Sequence, residues 1–260
     1  MDIKEKRQLE ITALKIRMGV IEGTFNAKSG HPGGSLSLTD ILTYLYFKEM
    51  NIDPKNPKWE DRDRFVLSKG HAAPGLYSAL AHRGFFPVEH LKTLRKADSD
   101  LQGHPSMKST PGVDMSTGSL GQGISAAVGM ALGGKHAGKN FRVYAALGDG
   151  ELGEGQVWEA AMFAAAKGLE NLTIFVDNNN LQIDGTVDEV NSPYPIPEKF
   201  VSFGFNVIEI DGHNFDEIES AINIAKATKG RPTAIIAKTV KGKGVYFMEN
   251  SCDWHGKAPN

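Results

Sequence analysis

Three carboxylates, Asp149, Glu151 and Glu154, crowd a glycine-rich turn (residues 146–155, ALGDGELGEG) that holds no basic residue. A loop built to grip a bare phosphate uses backbone N–H groups with a Lys or Arg, as in GxxxxGK[ST], and that motif is absent. Acid at the mouth of a helix suits a phosphate only where a cation stands between the two. Mg²⁺ does this, taking one or two carboxylates and completing its shell with phosphate oxygens. About thirty residues on, Asn178, Asn179 and Asn180 offer neutral oxygens. Taken alone they read as a polar turn; taken with Gly148-Asp149-Gly150 they read as the second half of a metal site.

The same turn contains a competing pattern. Gly148-Asp-Gly150-Glu-Leu-Gly153 satisfies GxGxxG after a strand, and the next strand ends in an acid, Asp177, as in dinucleotide-binding proteins. There the pyrophosphate lies directly on the turn. Here it would meet the Asp149 carboxylate, and two like charges ~4 Å apart repel by roughly 4 kcal/mol at an effective dielectric of ~20. A bridging metal removes the conflict. The turn is therefore read as a metal-bridged diphosphate site.

Histidine context is equally uneven. His82, His90 and His136 stand in helical stretches among charged neighbours and read as surface, and His213 in Asp-Gly-His-Asn reads as a turn or helix start. His31, His71, His104 and His255 each abut Gly or Pro in irregular backbone. An imidazole with a pKa near ~6.5 gives or takes a proton at neutral pH, which is what chemistry on hydroxyl and carbonyl oxygens requires.

The elements that must position these groups alternate. Strands are expected at Arg64–Leu67, Phe141–Leu147, Leu172–Asp177, Phe205–Ile210 and Thr233–Ala237. Helices are expected at 3–27, after Ser37 or Thr39, after Ala73 and Val88, over 121–138, at about 153–168 and over 215–227. Such alternation implies an α/β fold with a parallel sheet flanked by helices on both faces. Asp149 then ends one strand and Asn178 to Leu181 follow the next, at the sheet edge where open α/β folds bind ligands. The first helix reads as amphipathic through Ile11, Leu14, Met18, Ile21 and Phe25. The small-sided helix over 121–138 reads as buried, since its glycines, each costing a helix up to ~1 kcal/mol, call for close neighbours. Residues 97–119 lack periodicity, and a loop that long inside a domain is functional or disordered.

Composition fits one globular domain over 1–260, with 40% hydrophobic and 23% charged residues. The net charge of −2 gives no reason to expect nucleic acid or an anionic membrane surface. A single cysteine, Cys252, excludes an intrachain disulfide framework. No apolar run reaches the ~18 residues of a membrane span, and the start MDIKEKRQLE is no signal peptide. A cytoplasmic location is the expectation.

Gly148-Asp149-Gly150 followed by Asn178-Asn179 is similar to the thiamine diphosphate motif, and the longer string GDGELGEGQVWEA…DNNNLQIDG resembles transketolases. SGHPG at 29–33, LSKGHA at 67–72, GHP at 103–105, TGSLGQG at 117–123 and WHG at 254–256 match that family in order, so the likeness spans nearly the whole chain. It implies Mg²⁺ and thiamine diphosphate as cofactors. Asp149, the Asn179 side chain and the Leu181 carbonyl would bind the metal. His71, Gly118, Ser119, Leu120, Gly150, Asn179 and His255 would contact the cofactor. His31, His104 and His255 would serve the sugar, and Glu154 would be an interface carboxylate. Glu151, without a place in that scheme, is expected to be dispensable.

The resemblance also implies something missing. Transketolases carry the glutamate that activates the cofactor ring, and the arginines for sugar phosphates, on a second α/β domain, and the present chain stops short of it. It is expected to be the amino-terminal, diphosphate-binding half of a split transketolase. Two copies would pair with two of a subunit bearing the pyrimidine-binding domain, through stretches such as Gly121–Gly134 and Trp158–Phe163. The reaction would move a two-carbon ketol unit from a ketose phosphate to an aldose phosphate, as in the pentose phosphate pathway. The alternatives are a related thiamine diphosphate subunit, deoxyxylulose-phosphate synthase-like or 2-oxo acid decarboxylating, and a non-catalytic binding protein.

Overall fold

Strands apolar at nearly every position must be covered on both faces. In the computed structural model, which describes residues 1–260, β1 (Arg64–Leu67), β2 (Val143–Gly148), β3 (Leu172–Asn178) and β5 (Thr233–Lys238) are of this kind. With the more exposed edge strand β4 (Asn206–Asp211) they form one wholly parallel sheet in the order β1-β2-β3-β5-β4. The helices, in chain order, are α1 (Ile3–Ala27), α2 (Pro32–Ser37), α3 (Thr39–Tyr44), α4 (Ala73–Arg83), α5 (Gln122–His136), α6 (Gly155–Ala166), α7 (Val187–Asn191), α8 (Ile196–Ser202) and α9 (Phe215–Ala227).

Because strand side chains alternate, the sheet builds two cores. Phe65, Leu67, Tyr144, Ala146, Phe175 and Ile235 point into one, shared with α1, α3, α4 and α9. Val66, Val143, Ala145, Leu147, Ile174, Val176 and Ile236 point into the other, with α5, α6 and α8. The expected parallel sheet with helices on both faces is what the chain forms.

Several local features depart from expectation. The stripe Ile11, Leu14, Met18 and Phe25 lies outward on α1, Met18 being 70% exposed. The inward face is Leu9, Ala13, Ile16 and Val20, the larger of which contribute about 1.5–3 kcal/mol each when fully buried. Small residues on that face decide the matter. A Cβ on Gly19 would stand 2.3 Å from Ser78 Oγ, so only this side of α1 lets α4 approach. Helix α5, expected to be buried, covers β1 and β2 with one side and leaves Gly129 and Gly133 in open space on the other. Two short helices, α7 and α8, stand where no element was expected. The segment 88–93 is a 3₁₀ turn, and Val88 sits just past Pro87.

The long segment 97–119 has no helix or strand, yet it is held down. Asp114, buried in it, accepts the Phe65 N–H at 2.8 Å and pairs with Arg62. No helix is long and apolar enough to cross a membrane.

Candidate active site

Parallel register brings the strand ends level: Gly148 stands beside Asp177, and Asn178 beside Lys238. The loops leaving this carboxyl edge enclose a cavity of about 230 Å³. Nine of the residues singled out from sequence line it: His31, His71, Gly118, Leu120, Asp149, Gly150, Asn179, Leu181 and His255. Two do not. Ser119 is exposed on the turn into α5, where its carbonyl accepts the Gln122 N–H. His104 flanks the cavity behind Gly118. At that glycine, φ is +151°, and an added Cβ would meet the His104 ring at 3.0 Å. Only glycine lets the two strands of loop pass so closely.

On the acidic side Asp149 is 2% exposed, and its carboxylate accepts the N–H groups of Gly150 and Asn180. Burial, and next the charge of Asp177, push its carboxyl up to about 6. Two backbone donors therefore leave its charge under-compensated. Asn179 lies 8% exposed in the same lining, and the Leu181 carbonyl accepts from Lys241, another lining residue. No three His, Cys, Asp or Glu side chains are grouped to hold a metal. An ion here would rest on one carboxylate, one amide oxygen, one backbone carbonyl and the ligand's own oxygens. That is a hard-oxygen donor set of the kind Mg²⁺ accepts, and the residues fit it.

Opposite stand the imidazoles. The rings of His31, His71 and His255 lie with centroids 5.0–5.4 Å apart. All three are held neutral. Burial, then Arg95, lowers His31 to about 4; burial, then Lys241, lowers His255 to about 3; burial, then Lys69, takes His71 well below its usual value. His104 is shifted down as well, by burial and by Arg95. The histidines expected outside the site are outside it. His82 bonds the Ser78 carbonyl of its own helix, His90 pairs with Asp100 and His136 is exposed.

Sequence reasoning passed over two lysines. Lys69 is fully buried on Asp177 and the Gly34 carbonyl. Lys241, 2% exposed, donates to the Leu181 carbonyl and lies 2.9 Å from His255 Nδ1. Burial, then Lys69, lowers Lys241 to about 8. A buried, under-compensated base thus faces a buried, under-compensated acid across one cavity. An anion would relieve the first and a cation the second. The signal was present for Lys69, inside LSKGHA, whereas Lys241 lies in a loop without a motif of its own.

Glu151 is the clear correction. It is 3% exposed and accepts from Ser68 Oγ, from the Gly121 N–H at 2.9 Å and from the Gly148 N–H at 3.1 Å. It ties the acidic turn to the start of α5 and the end of β1. Glu151→Ala should therefore cost about 3 kcal/mol or more, because three buried donors lose a charged acceptor. Denaturant unfolding would show it, and a midpoint equal to wild type would refute the structural role. Glu154, by contrast, is exposed, as an interface carboxylate would be before its partner arrives.

Comparison with known proteins agrees with this geometry. A family model described as transketolase, thiamine diphosphate binding domain, matches residues 9–259. The 6-deoxy-6-sulfo-D-fructose transketolase subunit of Clostridium sp. (strain MSTE9) is 48% identical over 252 residues, 97% of this chain and 92% of the relative. An apulose-4-phosphate transketolase subunit from Phocaeicola vulgatus is 41% identical, over 96% of this chain and 89% of the relative. Among solved structures, transketolase from Campylobacter jejuni superposes with a TM-score of 0.92 at 37% identity. That match covers 99% of this chain but 41% of the other, so the chain spans less than half the length of that enzyme. On sequence, fold and cavity together, the chain belongs to the transketolase family, the enzymes of thiamine diphosphate-dependent ketol transfer, and corresponds to their thiamine diphosphate binding domain.

Proposed function

We propose that this chain is the diphosphate-binding subunit of a split transketolase. The observation that carries the reading is the convergence of Asp149, Asn179, Leu181, Lys241 and three neutral histidines on one cavity. Thiamine diphosphate, when bound, supplies the electron sink that lets a carbon–carbon bond beside a ketose carbonyl break. The chain's own residues do the rest. Asp149, Asn179 and the Leu181 carbonyl would hold Mg²⁺, and Lys241 and His71 would meet the diphosphate. Gly118 and Leu120, in the cavity lining, would lie along the cofactor, and Gly150 would give backbone room at the diphosphate. His31 and His255, in the cavity, and His104, flanking it behind Gly118, would serve the sugar oxygens. Being neutral at pH 7, they accept a hydroxyl proton first and return it afterwards.

Two relatives named as subunits, matched over 92% and 89% of their lengths, support a pyrimidine-binding domain on a second polypeptide. Outward apolar side chains offer surface for it: Met162 and Phe163 are 58% and 43% exposed on α6, which packs against α5. Two copies of each subunit is the assembly we propose, in the cytoplasm, acting on sugar phosphates or similarly charged sugars.

The test is to produce the chain with and without a partner subunit that bears the pyrimidine-binding domain. Light scattering would report mass, and ketol transfer to an aldose phosphate would report activity. Activity should appear only in the mixture. Full activity from the chain by itself would overturn the split reading, and a mixture that binds cofactor without transferring a ketol would favour a non-catalytic binding protein.

A further inference from the structure

His213 lies outside the cavity, at the carboxyl end of β4, yet both of its ring nitrogens are engaged. Nε2 accepts the Val240 N–H at 2.9 Å, and Nδ1 stands 2.7 Å from Asp40 Oδ2. The first bond leaves Nε2 without a proton, so Nδ1–H is the donor to Asp40. Asp40, 5% exposed at the start of α3, also receives the Arg17 guanidinium from α1. Arg17 in turn donates from Nε to the Lys243 carbonyl at 3.1 Å. The network therefore takes hold of the backbone on both sides of Lys241, at residue 240 and at residue 243. From the cavity side, the Gly242 N–H donates to the Gly33 carbonyl, and the Asn250 N–H donates to the Lys241 carbonyl.

A lysine side chain is long and has many rotamers, and its ammonium reaches Leu181 and His255 only if its own backbone is fixed. Errors of about 1 Å in such a frame loosen a functional site. We infer that His213, oriented by Asp40 and Arg17, is a positioning residue of the cofactor site: it sets the place of the loop that presents Lys241 to the cavity. The inference rests on reading that cavity as the thiamine diphosphate site. His213 itself touches neither cofactor nor sugar.

Two substitutions separate holding the loop from merely filling the core. His213→Gln keeps an acceptor at the distance of Nε2 for the Val240 N–H and gives up the donor to Asp40. His213→Asn keeps a donor near Nδ1 for Asp40 and gives up the acceptor. Both remove the ring, so both should lower the melting temperature by similar amounts. Hydrogen exchange of the peptide covering 240–244, measured without cofactor, should quicken markedly in His213→Asn and stay near wild type in His213→Gln. Calorimetry with Mg²⁺ and thiamine diphosphate, on the chain assembled with its partner, should show affinity about tenfold or more weaker in His213→Asn, the range met when a supporting partner of a site is lost. In His213→Gln it should lie within about threefold of wild type.

Equal weakening in both variants, tracking the loss of melting temperature, would overturn the positioning role. So would faster exchange in His213→Asn with unchanged affinity. A wild-type assembly that takes up no thiamine diphosphate would instead sink the cofactor reading, while the exchange comparison still decides whether His213 holds the loop.

Discussion

Asp149→Ala should abolish Mg²⁺-dependent binding of thiamine diphosphate. Of the three acids at this end of the cavity, Asp177 is matched by Lys69 and Glu151 is held by a hydroxyl and two backbone N–H groups, which leaves the Asp149 carboxylate, with two backbone donors, for a cation. Without it, only an amide oxygen and a backbone carbonyl would face the ion, too little charge to draw Mg²⁺ from its hydration shell. Asn179→Ala should weaken binding severely without ending it. Calorimetry on the assembled enzyme is the measurement, and unchanged affinity in Asp149→Ala would refute the metal assignment. Proton competition gives the wild type a signature of its own. The carboxyl must lose its proton to take a cation, and burial holds it near 6. Metal affinity should therefore be flat above that pH and fall about tenfold per unit below it.

For His31→Ala the expected loss is in turnover: kcat/KM lower by ~10²–10⁴-fold, the range for removing a general acid–base group. Cofactor affinity should change little. His31 enters the cavity just before α2, and Arg95 lies 3.4 Å from its Nδ1. His255→Ala makes the contrast. Lys241 leans on that ring, so both cofactor affinity and turnover should drop. Steady-state kinetics at saturating cofactor, alongside calorimetry, separates the two. Loss of cofactor from His31→Ala with full turnover once saturated would exchange the roles.

Motif and periodicity reached most of the site because parallel strands deliver it to one edge. Asp149 and Asn179 were legible as strand-end residues, and parallel register alone brings their loops together. Glu151 was not legible. Its three bonds are to a hydroxyl and two backbone groups from β1, α5 and its own turn, and nothing in its neighbours along the chain announces them. Lys241 was missed for a similar reason: its partners, Leu181 and His255, are distant in sequence. Helix α1 failed in another way. Apolar residues occur on two of its sides, and spacing alone could not say which would be buried. The choice lay with Gly19, whose missing side chain admits Ser78 of α4 and Leu91 of the 88–93 turn. His213 read as a turn residue and is one, but its ring also carries a network reaching to α1.

Strand order has a consequence for how this protein is made. Strand β5 is the last to be synthesised, yet it lies between β3 and β4, and most of its side chains are buried. At ribosomal speeds of ~5–20 residues per second, β3 waits several seconds with one bare, apolar edge. During that interval β4 has no strand to pair with. Closure of the sheet must then be a late event that joins distant parts of the chain, which is the slow kind of folding step. A nascent chain halted before Lys238 would present two open edges to its neighbours, a template for wrong pairing. Newly made copies should therefore lean on chaperones until β5 slots in, and only after that can Lys241 and His255, which follow it, reach their places.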